Sequence, residues 1–241
     1  MTALLEATGI SVRFGGNLAV SEVDLAVEEG RITGLIGPNG AGKTTTFNAL
    51  CGLQETSGGR VTLDGDDVTG LSTHQRARRG LARTFQRLEV FSSMTVWENV
   101  LVSAEIRRQW ARERVDRDEL DELIALVGLS DRRDERADQL PTGQCRLLEL
   151  ARALATKPRL LLLDEPASGQ DESETAAFAD LLRQLAGGGL AILMVEHDIP
   201  LVMEVCSMLY VLDFGQIIGA GPPEEIRHDE KVLAAYLGTK K

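Results

Sequence analysis

The chain has 241 residues, 43% hydrophobic and 26% charged, which is typical of a globular protein. Its 37 Asp and Glu outnumber 26 Lys and Arg, and a net charge of -11 argues against nucleic acid or an anionic lipid surface as a direct partner. We expect no signal peptide and no membrane span, which needs roughly 18 apolar residues. Three cysteines without paired spacing predict neither a disulfide framework nor a zinc site, and they favour a reducing cytosol.

The predicted elements begin with an alternating strand over residues 4–14 and a short apolar strand over 32–36. A glycine-rich turn separates the second strand from a predicted helix over 45–53. A strand over 60–63 and a turn over 64–67 follow. The first part of the chain is therefore predicted to mix strands and helices.

Between about residues 90 and 138 the strand-like runs disappear. Leu120, Leu123, Ile124 and Val127 recur at helical spacing, which predicts a helical subdomain inserted into an α/β core. The elements predicted after it are a helix over 144–155, a strand over 159–164, a crossover helix over 172–186, a strand over 191–196, a hairpin of 208–213 with 216–220, and a helical tail over 223–237. The two strands are apolar enough to be buried in a parallel sheet.

The strongest chemical signal is the segment 37–44, GPNGAGKT, which fits GxxxxGK[ST] between a buried strand and a helix. Glycines let the backbone curl round phosphates, so that its N–H groups and the helix N-terminus face the negative charge. Lys43 can reach the β and γ phosphates, and the Thr44 hydroxyl can ligate Mg²⁺. A chance glycine-rich turn is the disfavoured alternative.

A second signal is the apolar strand that ends in Asp164 and Glu165. An acid at this place suits a position beside bound Mg²⁺, as in P-loop enzymes, and the following Glu165 could accept a proton from an attacking water. Alone, the pattern could be a strand with a polar end. The phosphate-binding loop favours the metal site.

Four further motifs give the chain a resemblance to ABC ATPases. They are Leu140-Pro141-Thr142-Gly143-Gln144, which resembles the signature sequence, Thr84-Phe85-Gln86 the glutamine loop, Ser168-Gly169-Gln170-Asp171 the D-loop, and Val195-Glu196-His197-Asp198 the histidine switch. The resemblance implies an ABC ATPase cassette in one domain over 1–241: a P-loop NTPase core with a mostly parallel sheet, an N-terminal antiparallel β region and an inserted α-helical subdomain. The RecA-like core with its β subdomain would take 1–89 and 139–241, and the helical subdomain 90–138.

The same resemblance implies a role for each site residue. Nucleotide binding would fall to Phe14, which stacks on adenine, and to Gly37, Pro38, Asn39, Gly40, Ala41, Gly42, Lys43, Thr44 and Thr45. The catalytic residues would be the general base Glu165 with His197, Lys43 and Gln86, and the Mg²⁺ ligands Thr44, Gln86 and, through water, Asp164. Across a dimer, Pro141, Thr142, Gly143 and Gln144 would complete the partner's site, and Asp171 belongs to the D-loop. The alternatives are a core aromatic for Phe14, a surface side chain for Gln86 and an inert histidine for His197.

The signature departs from the commoner Leu-Ser-Gly-Gly-Gln. Pro141 lacks the serine hydroxyl and a backbone donor, but proline fits just before or at a helix start. We therefore predict that Pro141 is tolerated and that Thr142 supplies the hydroxyl.

Details around the motifs resemble the ATPases of branched-chain amino-acid importers. They are Arg83 before the glutamine loop, Phe91, the run Met94 to Val100, and the ending Ala235-Tyr236-Leu237-Gly238. The resemblance implies an ATP- and Mg²⁺-dependent ATPase that powers uptake of branched-chain or related amino acids. Its partners would be a second ATPase subunit, integral-membrane permease subunits and an extracytoplasmic solute-binding protein, with no nucleic acid, and it would lie at the cytoplasmic side of the membrane. Phe91, Met94 and Trp97 are expected to face the permease, with subdomain core as the alternative.

Other members of the family stay open as alternatives. Urea-type importers and the lipopolysaccharide-export ATPase are close. Cassettes of DNA repair or ribosome work are less favoured, because the chain shows neither a second cassette nor a long coiled coil. A non-hydrolysing regulatory cassette is also disfavoured, because Glu165 and His197 are intact.

Overall fold

The computed structural model describes residues 3–237, which form two β-sheets and nine helices within that range. The strands are β1 (Ala3–Phe14), β2 (Asn17–Glu28), β3 (Ile32–Ile36), β4 (Gly58–Leu63), β5 (Asp66–Asp67), β6 (Leu81–Arg83), β7 (Leu160–Asp164), β8 (Ala191–Val195), β9 (Met208–Asp213) and β10 (Gln216–Gly221). The helices are α1 (Lys43–Cys51), α2 (Thr73–Ala77), α3 (Val96–Ala111), α4 (Arg117–Leu126), α5 (Thr142–Leu154), α6 (Glu172–Gly187), α7 (Ile199–Val205), α8 (Pro223–Ile226) and α9 (Glu230–Leu237). Gly238 of the predicted ending lies outside the described residues.

The two sheets confirm the predicted fold class. The first is antiparallel, in the order β2-β1-β4-β5. The second has the order β10-β9-β3-β8-β7-β6 and is parallel except for β10 at its edge. Every residue of β3, β7 and β8 is buried, as expected of parallel strands covered on both faces.

The core has two layers that meet at the parallel sheet. In β7, Leu161 and Leu163 belong to a buried cluster with the helices, while Leu160 and Leu162 belong to a cluster with the antiparallel sheet and α1. Successive residues of a strand face opposite sides of a sheet, so this one strand joins both layers. The carboxyl ends of β3, β6, β7 and β8 consequently lie along one edge, where chemical groups can converge.

The strand β2 is the largest element that the sequence did not predict, and bulges explain why. Val20 and Val23 are both buried although they are three residues apart, because Glu22 between them has φ 51 and shifts the alternation. Gly9 in β1 has φ 62, and its N–H donates to Asp24 Oδ1 at 2.6 Å. The apolar periodicity of two therefore breaks in both strands. The short elements α2, β6 and α7 also went unpredicted.

The predicted helical character of residues 90–138 is confirmed. They form α3, α4 and two short 3₁₀ turns, Ser130–Arg132 and Ala137–Gln139. Val100, Ile124 and Leu148, from α3, α4 and α5, belong to one buried cluster. Gly128, with φ 74, follows the end of α4, where glycine commonly terminates a helix. The division of the chain into a core and an inserted subdomain stays a prediction.

Within residues 3–237, no helix is both long enough and apolar enough to span a bilayer.

Candidate functional site

The phosphate-binding loop predicted at residues 37–44 joins the buried strand β3 to α1. Gly37 has φ 150, and a Cβ there would lie 2.0 Å from the Leu212 carbonyl oxygen, so a side chain has no room. Gly42, with φ 108, precedes the helix. Helix α1 begins at Lys43 rather than at the predicted Thr45. The first N–H groups of α1, which have no acceptor within the helix, therefore face the loop, as an anion site at a helix N-terminus requires.

Lys43 turns its ammonium back into this loop. Its Nζ donates to the carbonyl oxygens of Gly37 at 2.8 Å and Pro38 at 3.0 Å, and the residue is 7% exposed. Burial lowers the pKa of Lys43, while attraction to Glu165 and Asp164 opposes that shift. The cation thus lies between the loop and the two acids at the carboxyl end of β7.

Glu165 is the meeting point of three predicted catalytic residues. It has φ 51, a left-handed conformation that turns the chain sharply after β7, and its N–H donates to the Val195 carbonyl at 2.9 Å. Gln86 Nε2 donates to Glu165 Oε2 at 3.1 Å, and His197 Nε2 lies 2.6 Å from Glu165 Oε1. The structure therefore brings together side chains that follow β6, β7 and β8.

Asp164 ends β7 as a nearly fully buried carboxylate. Its Oδ2 accepts from Arg83 Nη2 at 2.8 Å, and its N–H lies 3.4 Å from Thr84 Oγ1. The sequence marked Arg83 only as part of a family motif and not as a site residue. The sequence signal for a role of Arg83 at the site was a cationic residue directly after the apolar pair Leu81-Ala82.

Glu196 is a second residue that the sequence did not single out for a role. Its Oε1 accepts from the Ala167 N–H at 2.7 Å, and its Oε2 accepts from the His197 N–H at 2.9 Å. Burial raises the pKa of Glu196, and these backbone donors oppose the shift. The buried side chain ties the loop after Glu165 to the backbone of His197.

Phe14 lies at the open end of β1 and is 49% exposed, so it is not a core aromatic. It pairs with Asn17 at the turn into β2, which then passes the phosphate loop. A Cβ on Gly42 would lie 2.8 Å from the Ala19 carbonyl oxygen, so β2 packs closely against the phosphate loop. Stacking of Phe14 on adenine stays a prediction.

The signature lies at the start of α5, beside the D-loop. Pro141 is the N-cap residue and the helix begins at Thr142, which fits the predicted tolerance of proline at this place. The Thr142 methyl lies 3.4 Å from the position of a Cβ on Gly169. Within residues 3–237, no hydrogen bond joins 141–144 to the phosphate loop or to Glu165.

Asp171, predicted as a D-loop residue, caps α6. Its Oδ1 accepts from the Glu174 N–H at 2.9 Å, and Glu174 Oε2 accepts from the Asp171 N–H at 3.0 Å. This reciprocal pair is a capping box. The same Glu174 carboxylate lies 3.2 Å from the position of a Cβ on Gly143, so the capped end of α6 borders the signature.

Two charged side chains of α5 bind the backbone of the glutamine loop. Arg146 donates to the carbonyl oxygen of Phe85 at 2.8 Å and to that of Gln86. Glu149 accepts from the Glu89 N–H at 2.6 Å and pairs with Arg146 at 3.0 Å. Both side chains are buried. The helix that carries the signature is therefore bonded to the segment that carries Gln86.

The other end of α1 is capped by a buried cation. Arg76 is 1% exposed, and within the described part of the chain its guanidinium donates to four carbonyl oxygens. These belong to Ala49 at 2.8 Å, Leu50 at 2.6 Å, Thr69 at 2.8 Å and Leu71 at 3.1 Å. Positive charge at a helix C-terminus is favourable. Arg76 thus anchors the helix that begins at the phosphate loop.

Comparisons with known proteins agree with this geometry. The chain matches the family model for ABC transporters over residues 20–168 and a model for branched-chain amino acid ATP-binding cassette transporters over 216–241. It is 40% identical to the high-affinity branched-chain amino acid transport ATP-binding protein BraF of Pseudomonas aeruginosa, with 98% of each chain covered. It is 37% identical to the lipopolysaccharide export system ATP-binding protein LptB of Haemophilus influenzae, again with 98% of each covered.

The fold also resembles a solved cassette. The crystal structure of the ADP conformation of MJ1267, an ATP-binding cassette of an ABC transporter, has a TM-score of 0.89 and 28% sequence identity, with 99% of this chain and 100% of that chain covered. Fold, motif order and full-length relatives point the same way. The chain belongs to the ABC transporter family and is an ATP-binding cassette, an ATPase that drives transport.

Proposed function

We propose that this ATPase powers the uptake of branched-chain or related amino acids from the cytoplasmic side of a membrane. The observation that carries the proposal is the match of residues 216–241 to the branched-chain amino acid model, since this segment lies outside the general ABC match. The identity to BraF supports it. Lipopolysaccharide export is the second candidate, because LptB is 37% identical over the same span.

The residues at the site fit Mg²⁺ together with ATP. Within residues 3–237, no group of three or more His, Cys, Asp or Glu is placed to hold a metal ion by itself, and Arg83 donates to Oδ2 of Asp164 while no described group donates to Oδ1. Mg²⁺ is usually held in nucleotide sites by one or two carboxylates, phosphate oxygens and water. Thr44, Gln86 and Asp164 would hold it here. When bound, Mg²⁺ offsets charge on the phosphate oxygens.

Hydrolysis follows from what the chain's own groups can do. Glu165 carries two hydrogen bonds, and a carboxylate has about four lone-pair positions, so it can still accept a proton from a water. Lys43 and the N–H groups at the start of α1 stabilise charge on the phosphates. His197, whose backbone Glu196 fixes, presents a ring nitrogen on the same side as Glu165.

One chain supplies only half of each site in this proposal. ATPase subunits of this family dimerise and act with a permease, and among the described residues of this chain no hydrogen bond joins the signature to its own phosphate loop. The amide oxygens Gln144 Oε1 and Gln170 Oε1 are buried without a partner among the described residues. Buried polar atoms are normally paired. We infer that a second ATPase subunit packs on this face and presents its own 141–144 to the ATP bound by Lys43.

An apolar groove beside the glutamine loop suits a helix of the permease. Leu53, Phe85 and Ile106 are exposed along it, and its volume is about 290 Å³. Phe91 is also exposed, as predicted, and the Arg152 guanidinium lies 4.6 Å from its ring centroid. We infer that a permease segment bound here acts on the Gln86 loop, which α5 holds.

Trp97 follows the alternative of subdomain core. It is partly buried against the helical cluster. The guanidinium carbons of Arg117 and Arg133 lie 5.6 Å and 5.1 Å from its ring centroid. Met94 is partly buried as well. Of the three bulky residues expected to face the permease, only Phe91 is exposed.

Transport by the purified complex tests the proposal. The chain, isolated with the membrane subunits that co-purify, is placed in proteoliposomes with ATP inside or outside, and uptake of radiolabelled leucine is measured with the solute-binding protein added. ATP-dependent uptake that unlabelled isoleucine and valine inhibit is expected. Extraction of lipopolysaccharide without leucine uptake would establish the second candidate instead.

A further inference from the structure

We propose that Arg83 is a positioning residue for the magnesium site, which holds the Asp164 carboxylate by one oxygen and limits the affinity of the site for Mg²⁺ through its positive charge. The proposal rests on the proposed function in one respect, because it takes Asp164 as the acid beside Mg²⁺.

Arg83 is fixed from two elements at once. Its Nη2 donates to Asp164 Oδ2 at 2.8 Å, and both side chains are more than nine-tenths buried. Its Nη1 donates to Asn48 Oδ1 at 2.6 Å and lies 3.2 Å from Cys51 Sγ, both on α1. The guanidinium therefore joins the helix of the phosphate loop to the end of β7.

Two aromatic rings also lie next to the Arg83 guanidinium. The guanidinium carbon lies 5.6 Å from the ring centroid of Phe47 and 5.1 Å from that of Phe85, within the range of a cation–π contact. A cation held in this way cannot swing into solvent, and its charge is poorly screened by salt. Its field consequently acts on whatever binds next to Asp164.

The pair leaves the carboxylate with one engaged and one available oxygen. Oδ2 is taken by Arg83, so the orientation of the group is set, and Oδ1 is the atom without a partner within residues 3–237. A dication near Oδ1 is attracted by the carboxylate and repelled by the guanidinium. Arg83 thus fixes the orientation of the Asp164 carboxylate and lowers the affinity of the site for Mg²⁺.

Thermodynamic linkage gives the sign of the effect. Without metal, removal of Arg83 leaves Asp164 as a buried unpaired charge, which is strongly destabilising. With Mg²⁺ bound, the dication is a new counter-charge, so the same removal costs less. The difference must appear as tighter Mg²⁺ binding in the variant.

The test is Mg²⁺ binding to protein saturated with a non-hydrolysable ATP analogue, measured by calorimetry. Arg83→Met keeps the aliphatic stem between the two rings and removes the charge. We expect its Kd for Mg²⁺ to fall about tenfold, the lower end of what a neighbouring charge does to proton affinity. Its Tm deficit relative to wild type should shrink when Mg²⁺ replaces EDTA. Nucleotide affinity in EDTA should not change.

Two further variants keep the outcome decisive. Arg83→Lys keeps the charge and should retain the wild-type Kd for Mg²⁺. Arg83→Gln keeps a donor for Oδ2 and should show the same gain as Arg83→Met, and it replaces that variant if Arg83→Met does not fold. An unchanged or higher Kd in the neutral variants overturns the role of Arg83.

Asp164→Asn separates this result from a failure of the proposed function. If it leaves the Kd for Mg²⁺ unchanged, Asp164 is not the metal acid, and both the metal placement and the present proposal are wrong. If it weakens Mg²⁺ binding while the neutral Arg83 variants do not strengthen it, only the present proposal is wrong.

Discussion

Glu149→Leu should weaken the attachment of the glutamine loop to the signature helix. The change removes the acceptor of the Glu89 N–H at 2.6 Å and the partner of Arg146 at 3.0 Å. Hydrogen bonds to charged groups contribute about 1.5–3 kcal/mol each. Burial raises the pKa of Glu149, so part of that gain already offsets desolvation. The pair with Arg146 lies within α5, so only the bond to the Glu89 N–H joins Glu149 to segment 85–91. We take about 1.5 kcal/mol, the lower bound for that one bond, as the loss of local stability in the segment.

That loss can be measured by hydrogen exchange. About 1.5 kcal/mol corresponds to roughly a tenfold change in an equilibrium constant, so the Glu89 amide should exchange about tenfold faster. Glu149→Gln keeps an acceptor oxygen and should show a smaller change. Glu119→Leu is the matched control, because it breaks an exposed ion pair with Lys157 at 2.7 Å and should leave segment 85–91 unchanged.

Glu149→Leu also tests whether the bonds between α5 and the glutamine loop are needed for the permease to stimulate ATP hydrolysis. ATP affinity should stay at the wild-type value, because neither Glu149 nor Arg146 touches the phosphate loop. Stimulation of turnover by the permease should fall. Unchanged exchange of the Glu89 amide in Glu149→Leu would refute the idea that α5 holds the glutamine loop.

The remaining predictions concern the phosphate loop, its helix and the signature. Lys43→Ala should cut ATP affinity severely and leave the fold intact, and unchanged affinity by calorimetry would contradict the phosphate-loop interpretation. Arg76→Met should lower the free energy of unfolding in urea by about 3–5 kcal/mol, because four carbonyl oxygens lose a charged donor; such bonds contribute about 1.5–3 kcal/mol each, and relief of the desolvation of the guanidinium offsets part of the loss. A loss below about 1 kcal/mol would be inconsistent with its carbonyl contacts. Gly143→Asp should abolish turnover while monomeric ATP binding persists, whereas Thr142→Val should lose only part of the rate, since a neutral hydrogen bond contributes about 0.5–1.5 kcal/mol. Normal turnover of Gly143→Asp would show that the signature does not act on the ATP site of a second subunit.

Local patterns predicted the phosphate loop and the two acids well, because their chemistry depends on neighbours in sequence. The loop needs glycines at fixed offsets before Lys43, and the structure uses Gly37 where a Cβ would strike a carbonyl. The acids Asp164 and Glu165 end a strand that is buried on both faces, which an apolar run indicates directly. The family resemblance, not a local pattern, marked Gln86 and His197 as site residues. In the structure both lie within hydrogen-bond distance of Glu165, while their roles stay predictions.

Other features depend on contacts that no local pattern contains. The strand β2 was lost because Glu22 interrupts its alternation with a positive φ. Arg83 pairs with Asp164, 81 positions further along the chain, and Glu149 binds Glu89, 60 positions earlier. Such partners are set by the parallel order of β6 and β7 and by the packing of α5. The role of a charged residue that is buried by packing can be recognised only once its partner is known.

Turnover of Glu165→Gln tests whether Glu165 is the general base of ATP hydrolysis. The amide keeps the shape of the side chain and removes its basicity, and loss of a general base typically costs roughly 10²–10⁴ in rate. We predict wild-type ATP affinity, a rate lower by that factor, and accumulation of an ATP-dependent dimer on gel filtration. Hydrolysis at the wild-type rate would contradict the account, because the proton would then be accepted by another group.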